Sequence, residues 1–347
     1  MQELTLRRPD DWHVHLRDGA MLETVLPYTA RQFARAIIMP NLSTPVTTPS
    51  LAAEYRRRIL KALPYEEAAA GFIPLMTAYL TDEIQASDLT EGFQDGVFYA
   101  AKLYPANATT NSAHGVTDMR KLAPVFRKME EIGMPLLIHG EVTDPDVDVF
   151  DREEIFIRDV LQPLINEFSG LKVVLEHITT RQAVDFIRSM NGRVGATITA
   201  HHLIINRNAM FQGGLRPHHY CLPVAKREEH RLALRGAATS GDPAFFLGTD
   251  TAPHTVGAKE MDCGCAGIFS ALSALELYAQ VFEEEDALDK LEGFASLHGP
   301  AFYGLDANEG SVTLVKQDWR VPEHVDTPDG QQIRPFQAGQ TLGWKLL

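Results

Sequence analysis

Short apolar runs alternate along this chain with longer segments of helical character. Eight runs of apolar and β-branched residues predict strands at 11–16, 35–39, 72–80, 97–104, 135–139, 172–177, 194–199 and 244–249. Longer periodic segments predict helices at 50–63, 118–132, 153–168 and 181–190. Ser50 and Asp118 are expected to be N-caps, and Gly133 is expected to end the helix that precedes it.

Eight strands alternating with helices predict an α/β fold, a (β/α)8 barrel of the TIM type. Such a barrel usually takes about 250 residues, and larger examples are common. The structural rival is a doubly wound open sheet, which would usually place a Gly-rich phosphate turn after its first strand. The segment DWHVHLRDG at 11–19 is no such turn. We therefore predict one barrel domain over residues 1–347, with a C-terminal extension at about 310–347.

Ionisable residues fall where these apolar strands end. They are His13 and His15 in the first strand, Lys102 in the fourth, His139 ending the fifth, His177 ending the sixth and Asp250 after the eighth. The carboxyl ends of barrel strands converge on one face, which hosts the active site. Two residues apart on a strand, His13 and His15 would point the same way. Nitrogen and oxygen donors of this kind suit zinc.

Each of these residues, taken alone, has a simpler interpretation. A single histidine at a strand end is more often a hydrogen-bonded core residue than a ligand, and Asp250 alone fits a helix cap. Lys102 fits such an interpretation poorly, because a buried ammonium costs several kcal/mol unless it is paired or neutralised. All the simpler interpretations would have to hold together at one barrel face, so the metal site is favoured.

Composition and charge limit the partners. The 347 residues carry a formal net charge of −14, which argues against a nucleic-acid partner and requires local cations for any anionic substrate. The N-terminal segment has no apolar run after its basic residues, and no stretch approaches the roughly 18 apolar residues of a membrane span. With three cysteines in all, the expected location is cytoplasmic.

Several segments together resemble the bacterial class II type of the dihydroorotase family, in the amidohydrolase superfamily. They are RRPDDWHVHLRDG at 7–19, MPNL at 39–42, AAKLYPANATTNSAHGV at 100–116, GMPLLIHGEV at 133–142, EHITT at 176–180, GGLRPHHYCLP at 213–223, LGTDTAPH at 247–254 and CGCAG at 263–267. The HxH pair alone indicates only the superfamily. The lysine segment and the TDTAPH segment are specific to the dihydroorotases.

The resemblance implies two zinc ions per subunit, bridged by a carbamate formed by CO2 on Lys102. One zinc would be held by His13, His15, the carbamate and Asp250, and the other by the carbamate, His139 and His177. A hydroxide between the metals would attack the amide carbonyl, with Asp250 as general base and then acid. The implied reaction is reversible hydrolysis of (S)-dihydroorotate to N-carbamoyl-L-aspartate, in pyrimidine biosynthesis.

The resemblance also implies the contacts of this small-molecule substrate, and it suggests a homodimer. Arg17 and Asn41, helped by His254, would clamp the carboxylate. The backbone of Leu222 and of Ala266 would bind the ring. His15 and His139 would also contact the substrate. Residues 105–115 would form a mobile lid whose Thr109 and Thr110 hydroxyls close on the substrate and exclude water.

Three alternatives stay open. The chain could be another cyclic amidase, such as a hydantoinase, dihydropyrimidinase or allantoinase. Arg17 and Asn41 argue against this, because an uncharged dihydropyrimidine has no carboxylate for them to bind. A catalytically silent assembly subunit would have lost metal ligands, and a binding protein for acidic metabolites would show affinity without turnover.

Cys263 and Cys265 are expected to shape the Ala266 loop. The histidines expected to be packing, surface or pocket-adjacent groups are His201, His202, His218 and His219.

Overall fold

Eight parallel strands form one sheet in the computed structural model, which describes residues 2–65 and 71–347. The described strands are β1 (Glu3–Arg7), β2 (Asp10–Val14), β3 (Arg35–Ile38), β4 (Ile73–Tyr79), β5 (Ala100–Leu103), β6 (Leu136–Ile138), β7 (Val173–Leu175), β8 (Val194–Ile198), β9 (Phe245–Leu247), β10 (Ser311–Arg320), β11 (Val325–Asp326), β12 (Gln332–Ile333) and β13 (Thr341–Leu346). Strands β2 to β9 pair in chain order. All eight fall on predicted ranges, and the predicted (β/α)8 barrel is confirmed.

The barrel closes between its first and last strands through the backbone at their carboxyl ends. The Asp250 amide donates to the His13 carbonyl oxygen at 2.9 Å, and the His15 amide donates to the Thr251 carbonyl oxygen at 3.0 Å. The closure therefore passes through three residues that the sequence predicts to be metal ligands.

Helices surround this sheet. Those described are α1 (Gly19–Ala30), α2 (Pro49–Ala62), α3 (Ala86–Gln94), α4 (Ala123–Ile132), α5 (Arg152–Phe156), α6 (Gln162–Glu167), α7 (Arg181–Ser189), α8 (Ala200–Ile204), α9 (Glu228–Ala238), α10 (Val256–Lys259), α11 (Ala274–Glu284) and α12 (His298–Tyr303). A π turn, Ile157–Leu161, separates α5 from α6, so the predicted helix 153–168 is not one regular α-helix. No helix in the described ranges is long and apolar enough to cross a bilayer.

The predicted helix boundaries are partly right. The N-cap of α2 is Thr48, whose side chain accepts a hydrogen bond from the Leu51 amide, so the expectation for Ser50 was wrong. Pro49 explains the difference, because its fixed φ and missing N–H suit the first helical position. Asp118 does cap the 3-10 turn that leads into α4, and Gly133 ends α4 in the left-handed conformation (φ 73°).

The C-terminal segment forms a second sheet together with the N-terminus. Strand β10 lies between β1 and β13 and pairs antiparallel with both, with Glu3 opposite Val315. Strand β13 packs on α11 and buries Trp344 completely. The sequence prediction did not include β1 among its strands, and the C-terminal extension at about 310–347 stays a prediction.

The barrel interior is apolar towards its amino-terminal end. Leu75, Ala100, Leu137 and Val174 belong to one buried cluster with Trp12. The Trp12 ring stacks on Tyr303 of α12, with centroids 4.4 Å apart and planes inclined by 9°. This packing fills the interior, so the free space lies at the carboxyl ends of the strands.

Candidate active site

The six predicted metal ligands meet at the carboxyl end of the barrel. His13 lies in β2, His15 directly after it, Lys102 in β5, His139 directly after β6, His177 two residues after β7 and Asp250 three residues after β9. The ring centroids of His13 and His139 each lie 4.9 Å from that of His177. Ligand atoms of His13, His15 and Asp250 all lie within 4.8 Å of one another. The convergence expected from the sequence is present.

The local backbone explains how β2 supplies two imidazoles. The pairing of β2 with β3 shifts register between Asp11 and Val14. Because of this irregularity, two consecutive residues reach the barrel interior: Trp12 lies in the apolar cluster, and His13 lies in the ligand group. His15 lies one residue beyond β2 rather than inside it, which corrects the predicted strand end. Both rings contact Asp250: Oδ1 lies 3.4 Å from His13 Nε2 and 3.3 Å from His15 Nε2.

Two of the candidate ligands have left-handed backbone conformations. His177 has φ 40° and Asp250 has φ 43°. Such conformations cost a non-glycine residue on the order of 1–3 kcal/mol and persist where the surrounding structure holds them. In both cases the strained residue follows a barrel strand, and its side chain points into the cluster.

Several buried polar atoms in this cluster have no hydrogen-bond partner in the described residues: Lys102 Nζ, His13 Nε2 and His177 Nδ1. Buried nitrogen atoms of this kind are normally satisfied, so their grouping calls for a ligand. Burial also lowers the pKa of His13 and of His177 well below the usual value, which leaves neutral imidazoles. Neutral imidazole is the form that binds metals, and these residues therefore fit a metal centre.

Acidic residues that the sequence reasoning did not identify hold the ligand rings. Glu176 Oε2 lies 2.8 Å from His13 Nδ1 and also accepts a hydrogen bond from the Thr197 hydroxyl at 2.5 Å. Glu141 Oε2 lies 2.8 Å from His139 Nε2. Such carboxylates fix the orientation of a ligating histidine and raise its basicity. Their signal in the sequence is position: each is an acidic residue within two positions of a predicted ligand.

The pKa of Lys102 is lower than that of an ordinary lysine. Its side chain is fully buried, and burial lowers its pKa to about 8 although Glu176 and Asp250 act in the opposite direction. Its Nζ lies 4.9 Å from the centre of the Tyr104 ring. A neutral amine is therefore accessible near physiological pH, and a neutral amine is nucleophilic.

A cavity opens above this cluster and is lined by most of the predicted substrate-contact residues. Its wall includes His15, Arg17, Asn41, Thr109, Thr110, His139, His177, Leu222, Asp250 and Ala266. Tyr104, Cys221, Ala252 and Gly267 also line it, without having been predicted. His254 contacts the wall from the side, with Nε2 3.0 Å from the Ala266 carbonyl oxygen.

Arg17 brings a positive charge to the cavity. Its guanidinium donates to the Pro253 carbonyl oxygen at 3.2 Å and lies 3.0 Å from His254 Nε2. Within the described residues it forms no ion pair with a carboxylate, whereas many other arginines do. Its backbone is left-handed (φ 60°), and its carbonyl oxygen accepts from the Tyr55 hydroxyl at 2.6 Å. An arginine stays protonated at neutral pH, so the cavity has an unpaired cation on its wall.

The predicted lid segment, residues 105–115, touches both sides of the cavity. The Asn41 side-chain amide donates to the Thr110 carbonyl oxygen at 3.1 Å, and the Thr110 hydroxyl donates to the Ala266 carbonyl oxygen at 3.3 Å. The Asn41 side-chain oxygen is also 2.7 Å from His15 Nδ1. Asn41 thus joins a candidate metal ligand to the segment over the cavity.

A buried lysine holds the backbone of the Ala266 loop, including the carbonyl oxygen of Cys265. Lys259 Nζ is almost completely buried and donates to the carbonyl oxygens of Tyr220, Cys265 and Gly267 at 2.7, 2.8 and 2.8 Å. The cysteines of the described chain are all free, and Cys263 is exposed.

Two of the histidines expected outside the metal centre have partners elsewhere. His218 lies 2.8 Å from Glu260, and His219 lies 3.0 Å from the Ala209 carbonyl oxygen.

Known proteins with similar sequences and structures identify the class to which this chain belongs. Residues 11–317 match the amidohydrolase family. A curated dihydroorotase of Erythrobacter litoralis is 63% identical over 99% of both chains. The crystal structure of Saccharomyces cerevisiae dihydroorotase in complex with 5-fluoroorotic acid is similar with a TM-score of 0.92, at 36% identity, over 100% of this chain and 99% of the other. A dihydroorotase structure from Campylobacter jejuni gives a TM-score of 0.90 at 36% identity, over 99% and 97% of the two chains.

The chain belongs to the dihydroorotase family of the amidohydrolase superfamily. It is accordingly a hydrolase of cyclic amides built on a (β/α)8 barrel.

Proposed function

We propose that this chain catalyses the reversible hydrolysis of (S)-dihydroorotate to N-carbamoyl-L-aspartate in pyrimidine biosynthesis, with two zinc ions bridged by carboxylated Lys102. The observation that carries the proposal is the Arg17 guanidinium, which lies on the cavity wall next to the ligand cluster without a carboxylate partner in the described residues. A substrate carboxylate would complete this pair and place the adjoining ring amide over the cluster. Relatives named dihydroorotase over nearly the whole chain support the same substrate.

The ligand set fits two metals that share one side chain. His13, His15 and Asp250 would hold one zinc, His139 and His177 the other, and the carboxylated Lys102 both. The modification forms a bond between Nζ and the carbon of CO2 and releases one proton from the nitrogen. When bound, the metals supply Lewis acidity that lowers the pKa of water to about 7 and polarises the amide carbonyl.

The side chains of this protein supply binding and proton transfer. Arg17 and Asn41, with His254 behind them, would fix the substrate carboxylate, since a guanidinium binds a carboxylate with two parallel hydrogen bonds. Backbone groups of Leu222 and Ala266 would hold the ring. Asp250 would take the proton of the attacking water and deliver it to the leaving ring nitrogen. Burial raises its pKa to about 6, which brings it closer to the range of an effective proton carrier.

The same geometry bears on the alternatives. A hydantoinase or dihydropyrimidinase acts on a ring without a carboxylate, and such a substrate would leave Arg17 unpaired. An inactive barrel would have lost metal ligands, whereas all six side chains meet here. The unpaired guanidinium therefore favours the acidic substrate.

The test is to follow ring opening of dihydroorotate with and without a chelator, together with metal analysis. We expect turnover that the chelator abolishes and that zinc restores, and much weaker turnover of dihydrouracil, which lacks the carboxylate. Arg17→Met should raise KM for dihydroorotate by roughly 10- to 100-fold, the size of a lost charge-assisted hydrogen bond. The control is Arg58→Met, because that side chain is 44% exposed and pairs with Asp18. Turnover without metal, or dihydrouracil preferred over dihydroorotate, would remove the proposal.

A further inference from the structure

A second group of potential metal ligands lies outside the cluster described above. His201 and His202 are in α8, the short helix after β8, and Cys221 lies in the segment that leads to Leu222. One ligand atom from each of these three side chains lies within 4.8 Å of the other two. All three are buried, with exposed fractions of 0%, 2% and 1%.

Three of the four imidazole nitrogens of this group lack a hydrogen-bond partner in the described residues. Both ring nitrogens of His201 and Nε2 of His202 are buried without a partner in the described residues. Buried nitrogen atoms normally have hydrogen-bond partners, so a group of them without partners needs an explanation. A bound cation would accept the lone pair of one nitrogen from each ring, and it would therefore explain why both imidazoles lack partners on that side.

The two imidazoles are already in the neutral state that a metal requires, whereas the thiol would have to lose its proton. Burial lowers the pKa of His201 to about 4 and that of His202 well below its usual value, so both rings are neutral. Burial also raises the pKa of the Cys221 thiol, whose Sγ now donates to the Pro223 carbonyl oxygen at 3.3 Å. Metal binding would form the bond to sulfur and release that proton to solvent, as coordination does for thiols generally.

From these observations we infer that His201, His202 and Cys221 form a third metal site, distinct from the centre proposed for catalysis. Two imidazoles and one thiolate select zinc or a similar transition metal over magnesium or calcium, which prefer oxygen ligands. Cys221 borders the cavity, so a water molecule can complete a tetrahedron.

The position of this site beside Leu222 indicates that the metal would stabilise one wall of the cavity. A metal held by α8 and by Cys221 would join the end of β8 to the segment that contains Leu222, one residue further along the chain. It would therefore fix the backbone on one side of the cavity. The charges of Lys226 and Lys259 oppose a cation near Cys221, whereas Asp250 and Glu141 favour it. We expect a weaker site than the catalytic centre, filled when zinc exceeds two equivalents.

Sulfur makes the site spectroscopically distinguishable, because the ligands proposed for the catalytic centre contain only nitrogen and oxygen. Cobalt(II) added to the purified full-length protein should give a near-ultraviolet sulfur-to-cobalt charge-transfer band. The band should reach its full height at three, not two, cobalt ions per chain. Cys221→Ser and His202→Asn should each lower the metal content by one ion per chain, and Cys221→Ser should abolish the band. Neither readout depends on turnover, so the proposed function can fail while this site stands.

The matched control is the pair Cys263→Ser and Cys265→Ser, which removes the other two thiols and should leave both the band and the metal content unchanged. Loss of the band in that control, rather than in Cys221→Ser, would place the sulfur ligand elsewhere and overturn the inference. The absence of any charge-transfer band in the wild-type protein at excess cobalt would overturn it without the use of a variant.

Discussion

Buried ionisable side chains have partners at the amino-terminal end of the barrel and lack them at the carboxyl end. At the amino-terminal end, the first residue of β2 pairs with the first residue of β3: Arg35 donates to both carboxylate oxygens of Asp10, at 2.9 and 2.6 Å. The Asn308 side-chain amide also donates to Asp10, at 2.9 Å. Asp10 is fully buried, and its charge is matched by neighbours within the protein.

At the carboxyl end, buried groups are left incomplete. Lys102 Nζ, His13 Nε2 and His177 Nδ1 have no hydrogen-bond partner in the described chain, and Arg17 forms no ion pair with a carboxylate there. Left-handed backbone at Arg17, His177 and Asp250 adds strain at the same end. Buried charges are therefore paired within the protein at the amino-terminal end, which serves stability. They lack partners at the carboxyl end, where barrels of this fold bind their ligands.

The largest effect should come from removing the lysine at the carboxyl end. Lys102→Ala removes the proposed bridge between the two metals, so we expect kcat to fall by at least about 10³-fold, equivalent to several kcal/mol of lost metal assistance. Short carboxylic acids such as acetate should partly restore activity by occupying the vacated position. The measurements are initial rates of ring opening with and without the added acid.

The control for Lys102→Ala is Lys172→Ala, an exposed lysine that precedes β7 at the amino-terminal end. It should leave the rate unchanged. Full activity of Lys102→Ala would refute the carbamate bridge and weaken the contrast between the two ends.

The next effect concerns the segment over the cavity. Replacing Thr109 and Thr110 together by Val removes two hydroxyls, one of which donates to the Ala266 carbonyl oxygen. We expect kcat to fall by about 10²-fold with normal zinc content, because a lid that closes poorly admits water and misplaces the substrate. The matched control is Thr5→Val with Thr313→Val, whose hydroxyls contact each other at 2.9 Å in the second sheet. An unchanged kcat in the Thr109 and Thr110 variant would show that the segment is an ordinary barrel loop.

The sequence predicted the carboxyl end better than it predicted the second sheet. Apolar runs ending in His139, His177 and Asp250 indicate both a strand and a polar strand end, and the barrel geometry then brings these ends together. Strand β1 was missed because its partner is more than 300 residues away, with Glu3 opposite Val315. Local periodicity contains no information about a pairing at that distance.

Within the site, the residues that escaped prediction depend on contacts between elements. Glu176 was quoted within the segment EHITT, but its role follows from its contacts with His13 and Thr197, which lie on other strands. The grouping of His201 and His202 with Cys221 depends on the path of the chain after α8. Such contacts become visible only when the elements are packed together.

A change at the amino-terminal end should affect stability and not catalysis. Asp10→Ala removes the partner of Arg35, whose side chain is only 12% exposed. Breaking a buried pair costs about 3–5 kcal/mol, and we expect about 2–3 kcal/mol here, because Arg35 keeps its bond to the Asp306 carbonyl oxygen at 2.9 Å. The measurements are denaturant unfolding and kcat at a temperature where the variant is folded.

The matched control for Asp10→Ala is Asp159→Ala, which breaks a solvent-exposed pair with Arg158 and should leave stability close to that of the wild type. If Asp10→Ala were as stable as the wild type, or if it lost kcat while remaining folded, the two ends would not differ in the way proposed.

The smallest effect should come from weakening the support of one ligand ring. Glu176→Gln keeps an oxygen that can accept from His13 Nδ1 but removes the charge that raises the basicity of the ring. We expect zinc affinity to fall by about 10-fold, with kcat recovered at saturating zinc, because supporting carboxylates typically contribute 10- to 100-fold. Glu292→Gln is the same substitution at the other end of the barrel, where the carboxylate accepts from the Arg7 amide at 2.9 Å. It should leave zinc affinity unchanged. Equal zinc affinity in both variants would mean that Glu176 serves packing alone, and the contrast between the two ends would then rest on Lys102 and Arg17.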